Sequence, residues 1–296
     1  MTQTSSSATL VEPPRRRCVV CGNAQGDTVF EEFGVDIVQC AECNHVYSTW
    51  PGGQDYDGYF SAEPIDPEAA ERFWDEQHAR MYDDFVRRFL VGRQGRLLDV
   101  GCGLGYFVKR AASVPGWEAY GYEISPQAVA YARETLGLAN VQCGKVESSS
   151  FAPGSFHVIT LWDVIEHIPE PDALLSYLCS LLTDDGLLCM HTPNAIIQVP
   201  KAKLKRRLRG MKAGLHYLEA KDHINLYTVS TLRRVLIRNG FHRVRFIHLR
   251  PIEAVADVGG VTGRLLKRGW FVVAVALFHA SLGRINVDNL FVVARR

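Results

Sequence analysis

Three groups of residues have the types and the spacing to do chemistry. Asp99-Val100-Gly101-Cys102-Gly103-Leu104-Gly105 follows an apolar run, and Glu123 stands 22 residues beyond Gly101. Glycines at every second position let the backbone turn sharply and come close to a ligand. Cys18 and Cys21, then Cys40 and Cys43, form two C-x-x-C pairs with 18 residues between them. Each pair makes a tight knuckle, and together they offer the four thiolates that zinc takes in a tetrahedron. Asp163, Glu166 and His167 stand at i, i+3 and i+4, and His223 opens the run His223-Ile224-Asn225-Leu226-Tyr227-Thr228. One helical turn would put Asp163, Glu166 and His167 on one side. An imidazole can take up a proton near neutral pH, and beside carboxylates it can hold a divalent ion.

The glycine turn discriminates between ligands. A dinucleotide fingerprint, G-x-G-x-x-G, would carry its third glycine one residue later. A pyrophosphate at a helix N-terminus wants amides and the positive end of the helix dipole, and Asp99 at the strand end would repel it. A cofactor bearing an ammonium and a sulfonium, S-adenosylmethionine (SAM), is attracted there instead. Tyr120-Gly121-Tyr122-Glu123 reads as a second short strand ending in an acid that can accept hydrogen bonds from both ribose hydroxyls.

With these residues the chain resembles the class I SAM-dependent methyltransferases. The resemblance implies that Asp99, Gly101, Gly103 and Gly105 hold the methionine end and Glu123 the ribose. Tyr106, Ile124 and Trp162 are expected to complete the cofactor pocket. In that family the loop after the third strand covers the adenine, often with an acid directly after its glycine. Here Lys145 follows Gly144 and cannot accept a hydrogen bond. The adenine end therefore falls to Val146 and Glu147. His157 stands where the family usually has an aspartate. The stretch from Asp163 to His167 is similar to the E-x-x-E-H element of quinone-biosynthesis O-methyltransferases, with Asp in the first place. That likeness implies a divalent metal at Asp163, Glu166 and His167. His167 as a general base and the trio as a helix cap are the competing readings. The run from His223 to Thr228, then a helix, then Gly240-Phe241, looks like the same group, in which this histidine tends to face the substrate. His223 is thus a second candidate base, a core or capping histidine being the alternative.

The elements that must position these groups follow a strand–helix alternation from Arg96 to Asn194. This predicts an α/β fold, a Rossmann-like doubly wound sheet of seven strands with the last one antiparallel, and ligands at the strand C-termini. Residues 1–17 read as a loose tail without a secretory signal, 18–50 as a zinc ribbon built on a hairpin around Gly34, and 51–95 as a linker and N-terminal helices. Residues 96–296 make the methyltransferase domain. The zinc is expected to be structural, because four thiolates leave no open position. His45, beside the second pair, reads as a surface residue, an alternative zinc ligand being the other reading. Cys102, Cys143, Cys179 and Cys189 read as small core residues. Small bacterial methyltransferases with such a ribbon carry a tyrosine-rich segment similar to Asp55-Tyr56-Asp57-Gly58-Tyr59-Phe60. It is either a packed linker or a wall of the cofactor pocket.

Two insertions depart from a minimal domain. Within 195–222, Lys201 to Lys212 holds seven Lys or Arg and no acid. Leu204, Leu208, Met211, Leu215 and Leu218 recur at helical spacing, predicting one basic amphipathic helix over 201–218. It reads as a solvated helix or as a lid that also touches an anionic membrane. Residues 251–288 hold a helix apolar nearly all round, with burial as the default. The longest apolar run, Trp270 to Phe278, is too short to span a bilayer.

The whole chain of 296 residues carries 33 Lys and Arg against 32 Asp and Glu, so no global charge drives it toward nucleic acid. A cytoplasmic enzyme, peripheral at the membrane, is expected. Its acceptor would be a small molecule, sugar or lipid intermediate, with O-methylation preferred. An RNA methyltransferase reading RNA through the ribbon is a second reading, although basic residues in that region are confined to Arg15, Arg16 and Arg17. A SAM-binding scaffold without turnover is a third.

Overall fold

The computed structural model describes residues 16–51, 65–250, 252, 260–283 and 285–296. The tyrosine-rich segment Asp55–Phe60 and most of the N-terminal tail lie outside the described residues. The central layer is a seven-stranded sheet in the order β10-β11-β8-β7-β4-β5-β6. Its strands are β4 (Gly95–Val100), β5 (Trp117–Glu123), β6 (Val141–Cys143), β7 (Phe156–Trp162), β8 (Leu182–Thr192), β10 (Arg243–Ile247) and β11 (Leu290–Arg295). β4, β5, β6, β7 and β8 run parallel, and β11 is antiparallel to both β8 and β10. The expected doubly wound sheet with an antiparallel last strand is therefore present.

Leu97, Leu98, Asp99 and Val100 are all buried, as a parallel strand covered on both faces requires. Successive side chains feed opposite layers. Leu98, Val100, Ile159 and Leu161 join α5 (Pro171–Leu181) and α7 (Val229–Arg238) in one core. Leu97 and Val158 join α2 (Ala79–Phe89) and α3 (Tyr106–Ala112) in the other. Before α2, the chain enters through a short α1 (Pro67–Ala70) that continues as a π-helical stretch, Glu71–Glu76. α4 (Pro126–Glu134) starts as its sequence dictates. Ser125 Oγ accepts from Ala128 N, and Pro126 occupies the first turn, where no donor is needed.

The ribbon is a four-stranded sheet in the order β1-β2-β3-β9. β1 (Gly26–Glu32) and β2 (Val35–Cys40) form the expected hairpin around Gly34, and β3 (Val46–Ser48) follows. The fourth strand, β9 (Asn225–Leu226), comes from the other end of the chain and pairs antiparallel with β3. Both ribbon faces are covered by the larger domain. Cys18, Val38, Cys40, Cys43 and Tyr47 share a core with α7. Phe30, Val35 and Ile37 pack on α6 (Ala195–Arg209).

The two insertions and two side chains differ from expectation. α6 stops at Arg209, before Gly210 at φ +67°, so no single helix covers 201–218. Its buried line is Ala195, Val199 and Ala202, small residues that allow close packing on the ribbon. Leu204 and Leu208 are 58% and 73% exposed. The apolar helix α8 (Gly260–Ala280) departs from full burial: among its described side chains Ala274 is buried and Phe278 packs against His248. Trp270, Val272, Val273 and Leu277 are exposed. No helix among the described residues is long and apolar enough to cross a membrane. Cys143 is exposed, since β6 is an edge strand and only Val141 of it is buried. His45 is fully buried, not on the surface.

A ribbon enclosed on both faces should melt with the rest of the chain. Elemental analysis is expected to find one zinc per chain. Stripping it with a chelator should lower the melting temperature by about 10 °C, as loss of several kcal/mol would in a domain of this size. Zinc-free protein with an unchanged melting curve would contradict this.

Candidate functional site

The glycine turn closes the C-terminal end of β4. Gly101, Gly103 and Gly105 take φ values of +69°, +52° and +86°, the left-handed region that side chains avoid. A methyl group on Gly101 would also lie 2.6 Å from Val164 Cγ2, and one on Gly105 would lie 2.7 Å from Leu138 Cδ1. The turn is tied to β5 by Gly101 N and Cys102 N, both donating to Tyr122 O at 2.8 and 3.1 Å. Glu123 then reaches back. Its Oε2 accepts from Gly103 N at 2.8 Å and its Oε1 from Ser125 N at 3.0 Å. A carboxylate has about four acceptor positions, so both oxygens keep capacity for a ligand's hydroxyls.

Asp99 is 2% exposed. Its Oδ1 accepts from Thr160 Oγ1 at 2.6 Å. Burial pushes its pKa up to about 8; the Thr160 hydrogen bond opposes the rise and the charge of Glu123 adds to it. Two acids thus meet across a turn that offers one hydroxyl and a few amides, an environment that favours a cation. Trp162 ends β7 and packs against Tyr82, Phe85 and Phe107. Tyr106 is turned toward Tyr131, hydroxyl to hydroxyl at 2.8 Å. Ile124 is half-buried. Val146 is buried in a 3-10 turn (Val146–Ser148) after β6, and Glu147 is exposed beside it.

Beyond β7, Asp163 sits at φ +53°. Such strain in a residue other than glycine is held only by its surroundings. Asp163 N donates to His191 O at 3.1 Å, and its Oδ1 lies 2.9 Å from His191 Nδ1. Asn289 Nδ2 meets His191 Nε2 at 3.1 Å. With that amide donating, the His191 proton is on Nδ1, facing Asp163. Burial raises the Asp163 pKa, but His191, His78 and His223 outweigh it and hold the carboxyl below its ordinary value.

Glu166 and His167 lie in a 3-10 turn (Ile165–His167), not an α-helix, and the Asp163 carboxyl, still near Glu166, is turned to His191 and is not in the cluster that could share one ion. His223 takes its place. Glu166, His167 and His223 bring one ligand atom each within 4.8 Å of one another, with the two imidazoles 4.8 Å apart centre to centre. His167 Nδ1 meets Asp222 O at 3.0 Å, which puts the proton on Nδ1 and the lone pair on Nε2. Burial, helped by His223, pushes the His167 pKa down to about 4. Burial also lowers that of His223, whose Nε2 lies 3.3 Å from Glu219. Glu166 accepts from Thr192 Oγ1 at 2.9 Å, while its buried Oε1 has no hydrogen-bond partner among the described residues. Burial and the charge of Asp163 push this carboxyl well up. Two neutral imidazoles and a half-satisfied buried carboxyl are a donor set that fits a divalent cation.

In the ribbon, Cys18 Sγ lies 3.5 Å from Cys43 Sγ, and Cys21 Sγ lies 3.5 Å from Cys40 Sγ. That is too long for a disulfide and close to the edge of a tetrahedron around zinc. The knuckles close with Gly22 N donating to Cys18 O at 2.8 Å and Asn44 N to Cys40 O at 3.0 Å. Burial pushes the Cys18 thiol up to about 11 and raises Cys43 further, a cost that a bound dication removes. The four thiolates fit zinc and leave no ligand position open.

The family model of a methyltransferase domain matches residues 73–245. The chain belongs to this family. It is 30% identical over 139 residues to a ubiquinone biosynthesis O-methyltransferase of Neisseria meningitidis serogroup C, covering 42% of this chain and 58% of that protein. Its counterpart in Xanthomonas euvesicatoria is 34% identical over 140 residues, covering 42% and 57%. The chain thus spans about half the length of the curated relatives it matches. The fold is similar to a chain of the complex between the Haloferax volcanii Trm112 methyltransferase activator and its methyltransferase. The TM-score there is 0.58 at 14% identity, covering 82% of this chain and 98% of that one. A SAM-dependent methyltransferase of Archaeoglobus fulgidus gives 0.51 at 18% identity, covering 77% and 98%.

For this family member, the structure gathers Asp99, the three glycines, Glu123 and Trp162 at one sheet edge. His167 and His223 meet just beyond it. His78, Tyr82 and His191 had not been singled out by sequence. Tyr82 is buried and feels Asp99 and Asp163, both of which raise its pKa further above the value burial sets. The signal for His191 was its place at the C-terminal end of a central strand. His78 and Tyr82 were spaced i, i+4 within an aromatic helix that reads as ordinary core.

A raised Asp99 has a measurable consequence. At pH 7 it is largely protonated, and a cationic ligand must ionise it. Binding of SAM should therefore release up to about one proton at pH 7 and none from this group above pH 9. Calorimetry in buffers of different ionisation enthalpy counts that proton. Asp99→Asn should abolish the release and weaken binding about tenfold or more.

Proposed function

We propose that this protein is a SAM-dependent methyltransferase acting on a hydroxyl of a small-molecule or lipid-linked acceptor. The observation that carries the reading is the pair of buried acids, Asp99 and Glu123, around a left-handed glycine turn at the centre of a doubly wound sheet. The low-identity relatives named as O-methyltransferases support oxygen as the acceptor atom.

Asp99 and the turn of Gly101, Gly103 and Gly105 would hold the ammonium end of SAM, and Glu123 with Ile124 the ribose. Val146 and Glu147 would border the adenine. Trp162 would wall the methyl donor, with Tyr106 supporting the turn from behind. SAM, held there, would supply an activated methyl group to an acceptor oxygen in line with its carbon–sulfur bond, the sulfur leaving with the bonding pair as a thioether. The sulfonium is already activated, so the protein's part is alignment and disposal of the hydroxyl proton. His167 or His223, both neutral at pH 7, would take that proton. A divalent ion held by Glu166, His167 and His223 would lower the pKa of a bound hydroxyl, in place of a histidine base. The four cysteines would hold structural zinc.

The exposed face of α6 mixes Lys201, Lys203, Arg207 and Arg209 with Leu204 and Leu208. Basic groups interleaved with leucines favour an anionic lipid surface over RNA, and we place the enzyme in the cytoplasm at that surface.

Methyl-labelled SAM, incubated with the protein and fractionated cell extract, should place label in solvent-extractable small molecules or lipids; label in RNA would overturn the acceptor. His167→Gln should cut turnover by on the order of a hundredfold with SAM affinity unchanged, and full activity would remove His167 from the reaction. Flotation on anionic but not neutral liposomes should be lost when Leu204 and Leu208 are replaced by Ser.

A further inference from the structure

The loop that carries His223 leans on the ribbon. Residues 210–224, between α6 and β9, contain no helix or strand; short turns close within them, Leu215 N donating to Lys212 O and both Asp222 N and His223 N to Glu219 O, and several of their other backbone groups are taken up by the ribbon. Glu32, at the end of β1, is 1% exposed. Its Oε1 accepts from Tyr217 N at 2.5 Å and Leu218 N at 3.2 Å, and its Oε2 from Ala220 N at 2.8 Å. Ser48 Oγ donates to Ala220 O, and Ser48 N donates to Ile224 O at 2.9 Å. The chain then becomes β9 and pairs with β3, Val46 opposite Leu226 and Tyr47 opposite Asn225.

A second set of bonds reaches the turn that carries His167. His45, two residues beyond Cys43, is fully buried, and its Nε2 lies 3.1 Å from Asn225 Oδ1. Asn225 Nδ2 donates to Ile168 O at 2.7 Å. Arg16 donates to Pro169 O at 2.6 Å. On the other side of the first knuckle, Arg238 of α7 donates to Val19 O and Val20 O at 2.8 and 2.9 Å. None of these bonds reaches β4 or β5. A carboxylate taken out of water is costly unless amides replace the lost solvent, and here all three amides belong to the irregular loop.

We propose that the zinc ribbon is the scaffold of the acceptor side of the site, with Glu32, His45 and Asn225 as positioning residues. They hold the loop of His223 and the turn of His167, and leave the SAM edge alone. This rests on reading those two histidines as acceptor-side groups. Four thiolates on one ion make an anchor stiff enough to give a loop without regular structure a single place.

Hydrogen exchange read by mass spectrometry on the full zinc-loaded chain tests it, comparing wild type with Glu32→Ala, Glu32→Gln, His45→Ala and His45→Gln. In both alanine variants, amides of 217–226 and of 164–168 should exchange at least about tenfold faster. Gln, which keeps one acceptor at 32 and one donor at 45, should restore most of the protection. Affinity for adenosylhomocysteine, measured by calorimetry, should stay within about twofold. Unchanged exchange in 164–168 would overturn the proposal, as would equal loosening of 97–123 with matching loss of adenosylhomocysteine affinity. Should the alanine variants fail to fold, zinc withdrawal from the wild type by a chelator makes the same comparison, judged by the same outcomes. Wild-type protein that does not bind adenosylhomocysteine would instead sink the methyl-transfer reading and leave the scaffold role standing.

Discussion

Asp99 is a carboxyl almost without water, with one hydroxyl donor and a second acid across the turn. Burying such a charge unpaired costs several kcal/mol. The fold tolerates this because the group can stay protonated until a cation arrives. The rest of this sheet edge is arranged around that point. Three left-handed glycines bring the backbone past Asp99, Tyr122 O fixes the turn to β5, and Glu123 closes it from the next strand. A side chain at Gly101 or Gly105 would collide with Val164 or Leu138, so the electrostatics and the turn stand or fall together.

The other half of the site depends on a different anchor. His167 and His223 sit on short irregular segments; Thr192 of β8 reaches the turn of His167 through Glu166, and the ribbon reaches both segments. The ribbon supplies what those segments lack: the Glu32 carboxylate for three loop amides, a strand pairing through β9, and the line from His45 through Asn225 to Ile168. The ribbon is in turn enclosed, with α7 on one face and α6 on the other. A small element with little apolar core of its own thereby shares two larger ones, and its metal knuckles sit against the domain they help to order.

Apolar and basic residues are exposed together on two helices. α6 turns Ala195, Val199 and Ala202 inward and leaves Leu204, Leu208 and its basic groups outside, and α8 exposes Trp270, Val272, Val273 and Leu277. Asn194 caps α6 just beyond β8 and donates to the carbonyls of Asn286 and Asp288 at 3.0 and 2.9 Å.

Local chemistry made much of this legible before any coordinates. The glycine turn with Asp99, the acid ending β5, the C-x-x-C pairs and the strand–helix alternation are all set by neighbours in the chain. Dihedral limits, knuckle geometry and burial periodicity act over a few residues, so sequence alone determined the sheet, the glycine turn at its edge and the four-thiolate cluster. Only the tertiary structure decided which groups face each other across the chain. Asp163 was expected beside His167, but its left-handed backbone turns it to His191, and His223 arrives from 56 residues away. His45 looked like a surface group until Asn225 buried it. The leucines after Lys201 kept helical spacing, yet Gly210 ends the helix and the ribbon takes the loop beyond. These outcomes depend on contacts between segments far apart in sequence, where periodicity carries no information and packing and hydrogen-bond satisfaction choose the partner.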